Sequence, residues 1–139
     1  MEITANAIQT VNAGNSVIFD ATPIGGNCSI IHREGSGLIT LRGLTRQCRA
    51  RFRISFNGNI AVPTGQTVGA ISTAISIGGE SIGPTKMIVT PAAVEEYFNV
   101  AATTFIDVPS GCCSQISIKN DSAIPVNVQN ANLIVERVA

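Results

Sequence analysis

The C-terminal stretch 111–138 alternates between apolar and polar residues, and this alternation constrains the fold more than any other feature of the chain. In its first half, one parity carries Cys112, Ser114, Ile116 and Ile118, and the other carries Cys113, Gln115, Ser117 and Lys119. Residues 126–136 repeat this period-2 pattern, which is typical of half-buried strands. Because long apolar strands at a sheet edge invite aggregation, we expect both strands inside a sheet, paired through the polar turn at Asn120–Ser122.

Composition supports an all-β fold. The chain contains 19 Ile, 12 Val and 12 Thr but only 4 Leu. Branching at Cβ restricts χ1 in a helix and suits the pleated surface of a sheet. At 139 residues, without an internal linker or repeat, the chain 1–139 is predicted to be a single domain.

Low charge predicts assembly. Charged residues make up 13% of the chain against 45% apolar residues, about half of the roughly 25% charge usual in soluble domains. Exposed apolar area commonly marks an interface, so we expect a homo-oligomer. The zero net charge gives no field that would select nucleic acid or an anionic membrane. The apolar runs are too short to span a bilayer, and the N-terminus does not resemble a cleaved signal peptide.

Two segments carry the strongest local signals. Residues 49–56 alternate arginines with Phe52, Ile54 and Phe56, and Asn57-Gly58 follows directly, which predicts a strand and then a hairpin. Residues 68–77 place isoleucines on one face of a strand and small residues on the other. The small face suits close approach of another sheet or of another subunit. In the second case, the trimer-interface candidates are Val68, Ala70, Ser72, Ala74 and Ser76. The segment 92–98 is predicted to contain at most a short helical turn.

No motif predicts catalysis. Gly79-Glu80-Ser81-Ile82-Gly83 matches the G-x-S-x-G pattern of hydrolases, but Pro84 follows where a helix should begin, and His32 is the only histidine. A nucleophilic serine needs a strand–turn–helix context and a base, so we expect no enzyme, no catalytic residue and no cofactor.

The four cysteines leave several readings open. Cys28, Cys48, Cys112 and Cys113 permit three disulfide pairings if all are oxidised. Cys112 and Cys48 share parity with core residues and are expected to be buried, whereas Cys113 should face outward. Buried reduced thiols are the default without a secretory signal. The spacing lacks a C-x-x-C pair, so we expect no metal site.

Basic residues are concentrated in the window 33–53, which holds six of the nine. The docking candidates are Arg42, Arg46, Arg49, Arg51 and Arg53. One interpretation is a basic stripe for an acidic protein surface or a phosphate polymer. The other is pairing between subunits with acids such as Glu95, Glu96 and Asp107. No aromatic platforms accompany the arginines, which disfavours nucleic-acid binding.

The second half of the chain resembles the trimeric jelly roll of the tumour-necrosis-factor and complement-globular-head superfamily. The residues that carry the resemblance are 68–77, the glycine turn after them and the last two strands in 111–138. Within that superfamily, the sequence looks similar to short versions encoded by bacteriophages and to heads of bacterial collagen-like surface proteins. The resemblance implies a compact homotrimeric two-sheet jelly roll used for display or attachment.

The chain contains no Gly-X-Y collagen repeat, which favours a self-contained trimer over a stalked adhesin. The expected role is therefore that of a non-enzymatic structural protein of a bacteriophage virion. It would be made in the bacterial host cytoplasm, bind other virion proteins such as the major capsid protein, and decorate the capsid or attach to the head. The alternative is a receptor- or glycan-binding tip domain that uses the loops 22–27 and 78–84. The sequence leaves the host, the attachment partner and the thiol redox state undetermined.

Overall fold

The computed structural model describes residues 1–43 and 48–139 and is a jelly-roll sandwich of two antiparallel sheets. We call the first of them sheet A. Its strands are, in spatial order, β10 (Phe98–Pro109), β6 (Arg49–Ala61), β12 (Val126–Arg137), β1 (Glu2–Ala5) and β3 (Ala21–Ile24), with β2 (Gln9–Val11) pairing to β12.

The second sheet is sheet B. Its strands are, in spatial order, β4 (Ile30–His32), β5 (Ile39–Arg42), β11 (Cys113–Asn120), β7 (Ile71–Ile77) and β8 (Glu80–Ser81), with β9 (Met87–Val89) also pairing to β7. A 3₁₀ turn, Gly83–Thr85, follows β8. Over the part of the chain that is described, no helix is long and apolar enough to cross a membrane.

The core fills the space between the inner faces of the two sheets. Sheet A contributes Phe52, Ile54, Phe56, Leu133 and Val135, and sheet B contributes Ile39, Leu41, Ile75, Ile116 and Ile118. These side chains are buried because each occupies the inward parity of its strand. The alternation that predicted an all-β fold therefore corresponds to the actual division between core and surface.

The predicted hairpin at Asn57-Gly58 is wrong. Strand β6 runs unbroken from Arg49 to Ala61. Gly58 lies on the inner face, where an added Cβ would sit 3.0 Å from the ring of Phe56. The register of β12 against β6 shifts between Gln129 and Asn132, so the partner strand carries the irregularity. Gly58 accommodates a close packing contact and not a chain reversal.

The predicted pairing of the last two strands is also wrong. Strand β11 lies inside sheet B between β5 and β7, and β12 lies inside sheet A between β6 and β1. The turn after Asn120 carries the chain from one sheet to the other. Both strands are internal, as expected from their apolar character, but each has different neighbours.

The segment 92–98 contains no α-helix. Glu95 has a left-handed backbone (φ 57°), and its carboxylate accepts hydrogen bonds from the Thr64 backbone N–H (3.2 Å) and from Asn127 Nδ2 (3.0 Å). Burial and the hydrogen bond to Glu95 raise the pKa of the neighbouring Tyr97. Side-chain bonds across the sheet end therefore fix this turn in place of a helical repeat.

Candidate functional site: the outer face of sheet A

Three of the arginine docking candidates form one row on the solvent side of β6. Arg49, Arg51 and Arg53 alternate with Ala50, Phe52 and Ile54, which are fully buried. Because successive side chains of a strand point to opposite faces, burial of the apolar residues places all three guanidinium groups on the outer face of sheet A.

Asp107 of β10 pairs with two of these arginines. Arg51 lies opposite Asp107 in the register of the two strands. Its Nε donates to Oδ1 at 2.8 Å and its Nη2 donates to Oδ2 at 3.0 Å. Arg49 Nε lies 3.3 Å from Oδ2 of the same carboxylate. The hydrogen bonds from Arg51 lower the pKa of Asp107, and the same pair raises the pKa of Arg51.

The third arginine pairs on the other side of the strand. Arg53 lies opposite Glu136 of β12 in the sheet register, and its guanidinium forms an ion pair with that carboxylate. The arginine row therefore carries compensating acids within the same protomer.

Exposed apolar side chains lie among these ion pairs. Phe105 of β10 is 59% exposed and pairs with Arg53 in the register. Ile134 of β12 is 38% exposed and pairs with Ser55. We call Arg49, Arg51, Arg53, Phe105, Asp107, Ile134 and Glu136 together the arginine–aromatic face. It combines a large aromatic residue, an aliphatic residue and three arginines that share two carboxylates. Aromatic residues and arginine are enriched in protein–protein interfaces.

Sequence reasoning missed Phe105, Ile134 and Glu136. Phe105 shares parity with Asp107 and alternates with the buried Ile106 and Val108, so the pattern could have placed it outside. The signal was overlooked because an aromatic residue in an alternating strand is usually assigned to the core.

The remaining arginine candidates do not join this face. Arg42 ends β5 in sheet B, opposite Cys113, and alternates with the buried Leu41. It therefore belongs to the outer face of the other sheet. Arg46 lies outside the described residues. The basic window of the sequence is thus divided between the two sides of the sandwich.

The trimer-interface candidates lie on and before β7, and two of them are buried within the protomer. Ala74 and Ser76 are 0% exposed within the protomer, whereas Val68 and Ala70 are exposed and Ser72 is half-buried. Ser76 lies opposite Ser117 of β11 and Ser81 of β8. Its hydroxyl bonds to Ser117 Oγ at 2.5 Å.

A small polar network stands at the same edge of sheet B. Asp121 accepts from Ser81 Oγ at 3.2 Å and pairs with Lys86 Nζ at 3.0 Å. The hydrogen bond from Lys86 is the main reason that the pKa of Asp121 is lowered. Lys119 lies opposite Ala74 and donates to the Gly79 carbonyl at 3.1 Å. Lys119 is thus the cross-strand neighbour of Ala74, and Ser117 and Ser81 are those of Ser76.

The G-x-S-x-G segment has no catalytic context. Ser81 ends β8 at one edge of sheet B, and His32 ends β4 at the opposite edge. His32 Nε2 lies 2.9 Å from the carbonyl of Ser36. A general base must reach the nucleophile by a hydrogen bond or through one water, and this separation across the sheet prevents it.

The loops proposed for ligand recognition each border an open cleft. A cleft of about 430 Å³ is lined by Gly78, Ile77, Thr40, Gln115, Ser114 and Cys113. A second cleft, of about 320 Å³, is lined by Met1, Gly25, Gly26, Asn27, Ile30, Glu136 and Arg137. The two clefts share no lining residue and do not form one site.

The expected burial of Cys48 and Cys112 is wrong, because all four cysteines are free and exposed. Cys48 and Cys112 each precede a strand by one residue. They carry the inward parity but lie beyond the end of the core that would cover them. Among the described residues, no three His, Cys, Asp or Glu side chains are grouped so that they could hold a metal ion.

Comparison with known proteins relates this chain to solved structures only. No family model and no curated protein matches it. It is similar to the globular domain of zebrafish complement 1qA protein, with a TM-score of 0.72, 10% identity and coverage of 99% of this chain and 95% of that one. At this identity the similarity shows the fold alone.

More distant matches include CBM35 from Cellvibrio japonicus Abf62, with a TM-score of 0.40, 10% identity and coverage of 100% and 98%. They also include Xyl-CBM35 in complex with a glucuronic-acid-containing disaccharide, with a TM-score of 0.36, 12% identity and coverage of 99% and 98%. These two superpositions are too loose to carry an argument. The chain is therefore a jelly-roll sandwich of the kind seen in the complement globular domain.

Proposed function

We propose that this chain is a non-enzymatic, homotrimeric structural domain whose copies meet through the arginine–aromatic face of sheet A. The observation that carries the proposal is Phe105, a large aromatic residue that is 59% exposed on a face where the surrounding charges are already paired. Full burial of a phenylalanine side chain stabilises by about 1.5–3 kcal/mol. A threefold assembly would gain part of this energy once per copy.

The charges of the face support the same conclusion. Arg49, Arg51 and Arg53 each have a carboxylate partner in the same protomer. Arg49 and Arg51 share Asp107, and Arg53 pairs with Glu136, so a partner that covers the face meets one net positive charge in place of three. A nucleic-acid surface would instead present unpaired cations to phosphates, so the arrangement supports protein–protein contact.

The finer role that we propose is a virion one: decoration of a bacteriophage capsid or attachment to its head, with other virion proteins such as the major capsid protein as partners. Support for this step comes from the resemblance of residues 68–77 and 111–138 to short phage-encoded jelly rolls. The position of Ser81, which has no histidine within reach at its edge of sheet B, supports the absence of catalysis.

Light scattering coupled to size-exclusion chromatography tests the proposal. The chain should elute as a species with three times its 14.4 kDa mass, and Phe105→Glu should convert it to a monomer. Ile88→Glu is the matched control, because Ile88 is 63% exposed on β9 of sheet B and should leave the trimer intact. A monodisperse monomer, or a trimer that Ile88→Glu disrupts and Phe105→Glu does not, would refute the proposed face.

A second candidate function is saccharide binding, favoured by one observation: the loops 22–27 and 78–84 contribute Gly25, Gly26, Asn27 and Gly78 to the two open clefts. Screening the chain on a glycan array tests this candidate. Binding that Gln115→Ala or Asn27→Ala abolishes would establish a tip domain, whereas an array without signal would leave the structural role as the better account.

A further inference from the structure

All four cysteines lie near one end of the sandwich. Cys28 closely precedes β4, Cys48 directly precedes β6, Cys112 directly precedes β11, and Cys113 begins β11. Backbone pairing joins these starts: Arg42 N–H donates to the Ser29 carbonyl at 2.8 Å, and Cys113 lies opposite Arg42. Strand ends from both sheets thus bring every exposed thiol of the chain to one region.

Residues next to Cys48 and Cys112 are joined by backbone hydrogen bonds at this end. Gly43 N–H donates to the Cys112 carbonyl at 2.9 Å, and Ser110 N–H donates to the Cys48 carbonyl at 3.1 Å. An added Cβ at Gly43 would lie 2.1 Å from the Pro109 carbonyl oxygen. The β5–β6 and β10–β11 connections are therefore in direct backbone contact at both of their ends.

The turn of the second connection brings Cys112 back toward Cys48. Backbones joined in this way lie about 5 Å apart, so Cys48 is that close to Ser110. Cys112 N–H donates to the Pro109 carbonyl at 3.1 Å, and Gly111 has a left-handed backbone (φ 75°). Cys112 thus closes the turn 109–112 that contains Ser110, the hydrogen-bond partner of Cys48. A disulfide between the two cysteines requires Cα atoms within about 7 Å.

Strand parity directs both thiols to the same space. Ala50, two residues after Cys48, is 0% exposed, and Ile116, four residues after Cys112, is 1% exposed. Because side chains two or four positions apart in a strand share a face, Cys48 and Cys112 carry the inward parity of sheets A and B respectively. If this parity continues one residue beyond each strand, both side chains are directed toward the end of the gap between the sheets.

The other two cysteines, Cys28 and Cys113, are placed less favourably for this disulfide. Cys113 has the opposite parity to Cys112 and is directed to the outer face of sheet B beside Arg42. Cys28 precedes β4, which is separated from β11 by β5. Two strand spacings amount to about 10 Å, beyond the reach of a disulfide to Cys112.

We propose that Cys48 and Cys112 form an inter-sheet disulfide when a low-molecular-weight disulfide such as glutathione disulfide is present. One cysteine thiolate attacks the glutathione disulfide, forms a mixed disulfide and releases one glutathione thiolate. The second cysteine thiolate then attacks the protein sulfur of that mixed disulfide and releases the other glutathione. Two cysteine thiols lose two protons and two electrons, and glutathione disulfide is reduced to two glutathione molecules.

The bond ties sheet A to sheet B at the end of the sandwich and closes the loop 48–112 in the unfolded chain. Cross-linking a loop of this length restricts the unfolded ensemble and stabilises the fold. Oxidation raises the melting temperature by roughly 5 °C or more.

The experiment oxidises the full chain with glutathione disulfide and maps peptides by mass spectrometry without reduction. The expected product is a cross-link within one chain between the peptide containing Cys48 and the peptide containing Cys112, with the rise in melting temperature reversed by reductant. Cys113→Ser and Cys28→Ser retain both effects, whereas Cys48→Ser and Cys112→Ser lose both.

Three outcomes would overturn the assignment. They are a bond between Cys112 and Cys113, a bond that includes Cys28, and only mixed or intermolecular disulfides. All four positions are exposed, so each serine variant should fold, and the melting temperature of its reduced form verifies this directly.

Discussion

Arg51 and Asp107 form a two-point ion pair across β6 and β10, with Nε 2.8 Å from Oδ1 and Nη2 3.0 Å from Oδ2. The planar guanidinium matches the carboxylate in a way that lysine cannot reproduce. The pair places two charges of the arginine–aromatic face on the same side of sheet A as Phe105.

We expect Arg51→Gln to raise the pKa of Asp107, because the hydrogen bonds from Arg51 are the main reason that this pKa is low. Carbon-detected NMR titration of the Asp107 carboxyl measures the shift. Since the folded-state pKa lies below the unfolded one, the pair stabilises the fold above the ordinary carboxyl pKa of about 3.9. This contribution disappears as the pH falls through the lowered value. Lys86→Met, at the other sheet, is the control and should leave the Asp107 titration unchanged.

Asp121→Asn should lower the free energy of unfolding at pH 7 by up to about 1 kcal/mol, the upper range for a surface ion pair. The substitution removes the ion pair with Lys86 and weakens the hydrogen bond from Ser81. The pKa of Asp121 is lowered in the fold, so the stabilisation is present above the ordinary carboxyl pKa and is lost as the pH falls through the lowered one. Urea unfolding should show that the difference in free energy of unfolding between wild type and variant is smaller below pH 3 than at pH 7. Additive effects of Asp121→Asn and Lys86→Met would contradict a coupled pair.

Gly43→Ala should destabilise the fold by about 2 kcal/mol or more, because a new Cβ would overlap the Pro109 carbonyl oxygen at 2.1 Å and the backbone would have to move. Gly25→Ala is the matched control. Its added Cβ meets nothing within 4 Å, so its effect should stay within about 0.5 kcal/mol. Thermal and urea unfolding compare the two variants. Equal stabilities would mean that Gly43 and Pro109 are not in close contact.

Asn130→Val should cost about 1–2 kcal/mol, because Asn130 has a left-handed backbone (φ 53°) that β-branched residues adopt only with strain. Asn130→Gly should be tolerated within about 0.5 kcal/mol, since glycine adopts this conformation freely. Urea unfolding of both variants measures the difference. If Asn130→Val leaves the free energy of unfolding unchanged, the irregularity of β12 does not lie at Asn130.

Ala74→Leu separates protomer packing from assembly. Ala74 is 0% exposed in a single copy, so the larger side chain should lower the free energy of unfolding by about 1–3 kcal/mol through overpacking. The oligomeric state measured by light scattering should not change. A dissociated assembly with unaltered protomer stability would instead favour the small-residue face of β7 as the contact surface.

Strand content and strand parity were readable from the sequence because they depend on local alternation. Residues 49–56 were correctly assigned to a strand with arginines on one side and aromatic and aliphatic residues on the other. The hairpin predicted at Asn57-Gly58 was wrong. In the sequence, a glycine that avoids a clash with Phe56 cannot be distinguished from a glycine that makes a turn. Only the neighbouring strand distinguishes them.

The candidate site was partly readable for the same reason. The arginine row followed from alternation. The grouping of the basic residues of the window 33–53 into one stripe is wrong, since Arg42 and Arg51 belong to different sheets. The predicted burial of Cys48 and Cys112 was wrong. Parity indicates to which face a side chain points, but not whether the core extends far enough to cover it.

By itself, the sequence determined that this protein is built from strands and which side chains of each strand face inward, because β-branched residues and period-2 alternation act within a few residues of the chain. Tertiary structure decided which strands are neighbours, how the basic residues divide between the two sheets, and where Phe105, Asp107 and the thiols meet other groups. These relations join residues far apart in the sequence, and their free energy depends on three-dimensional packing that no local pattern encodes.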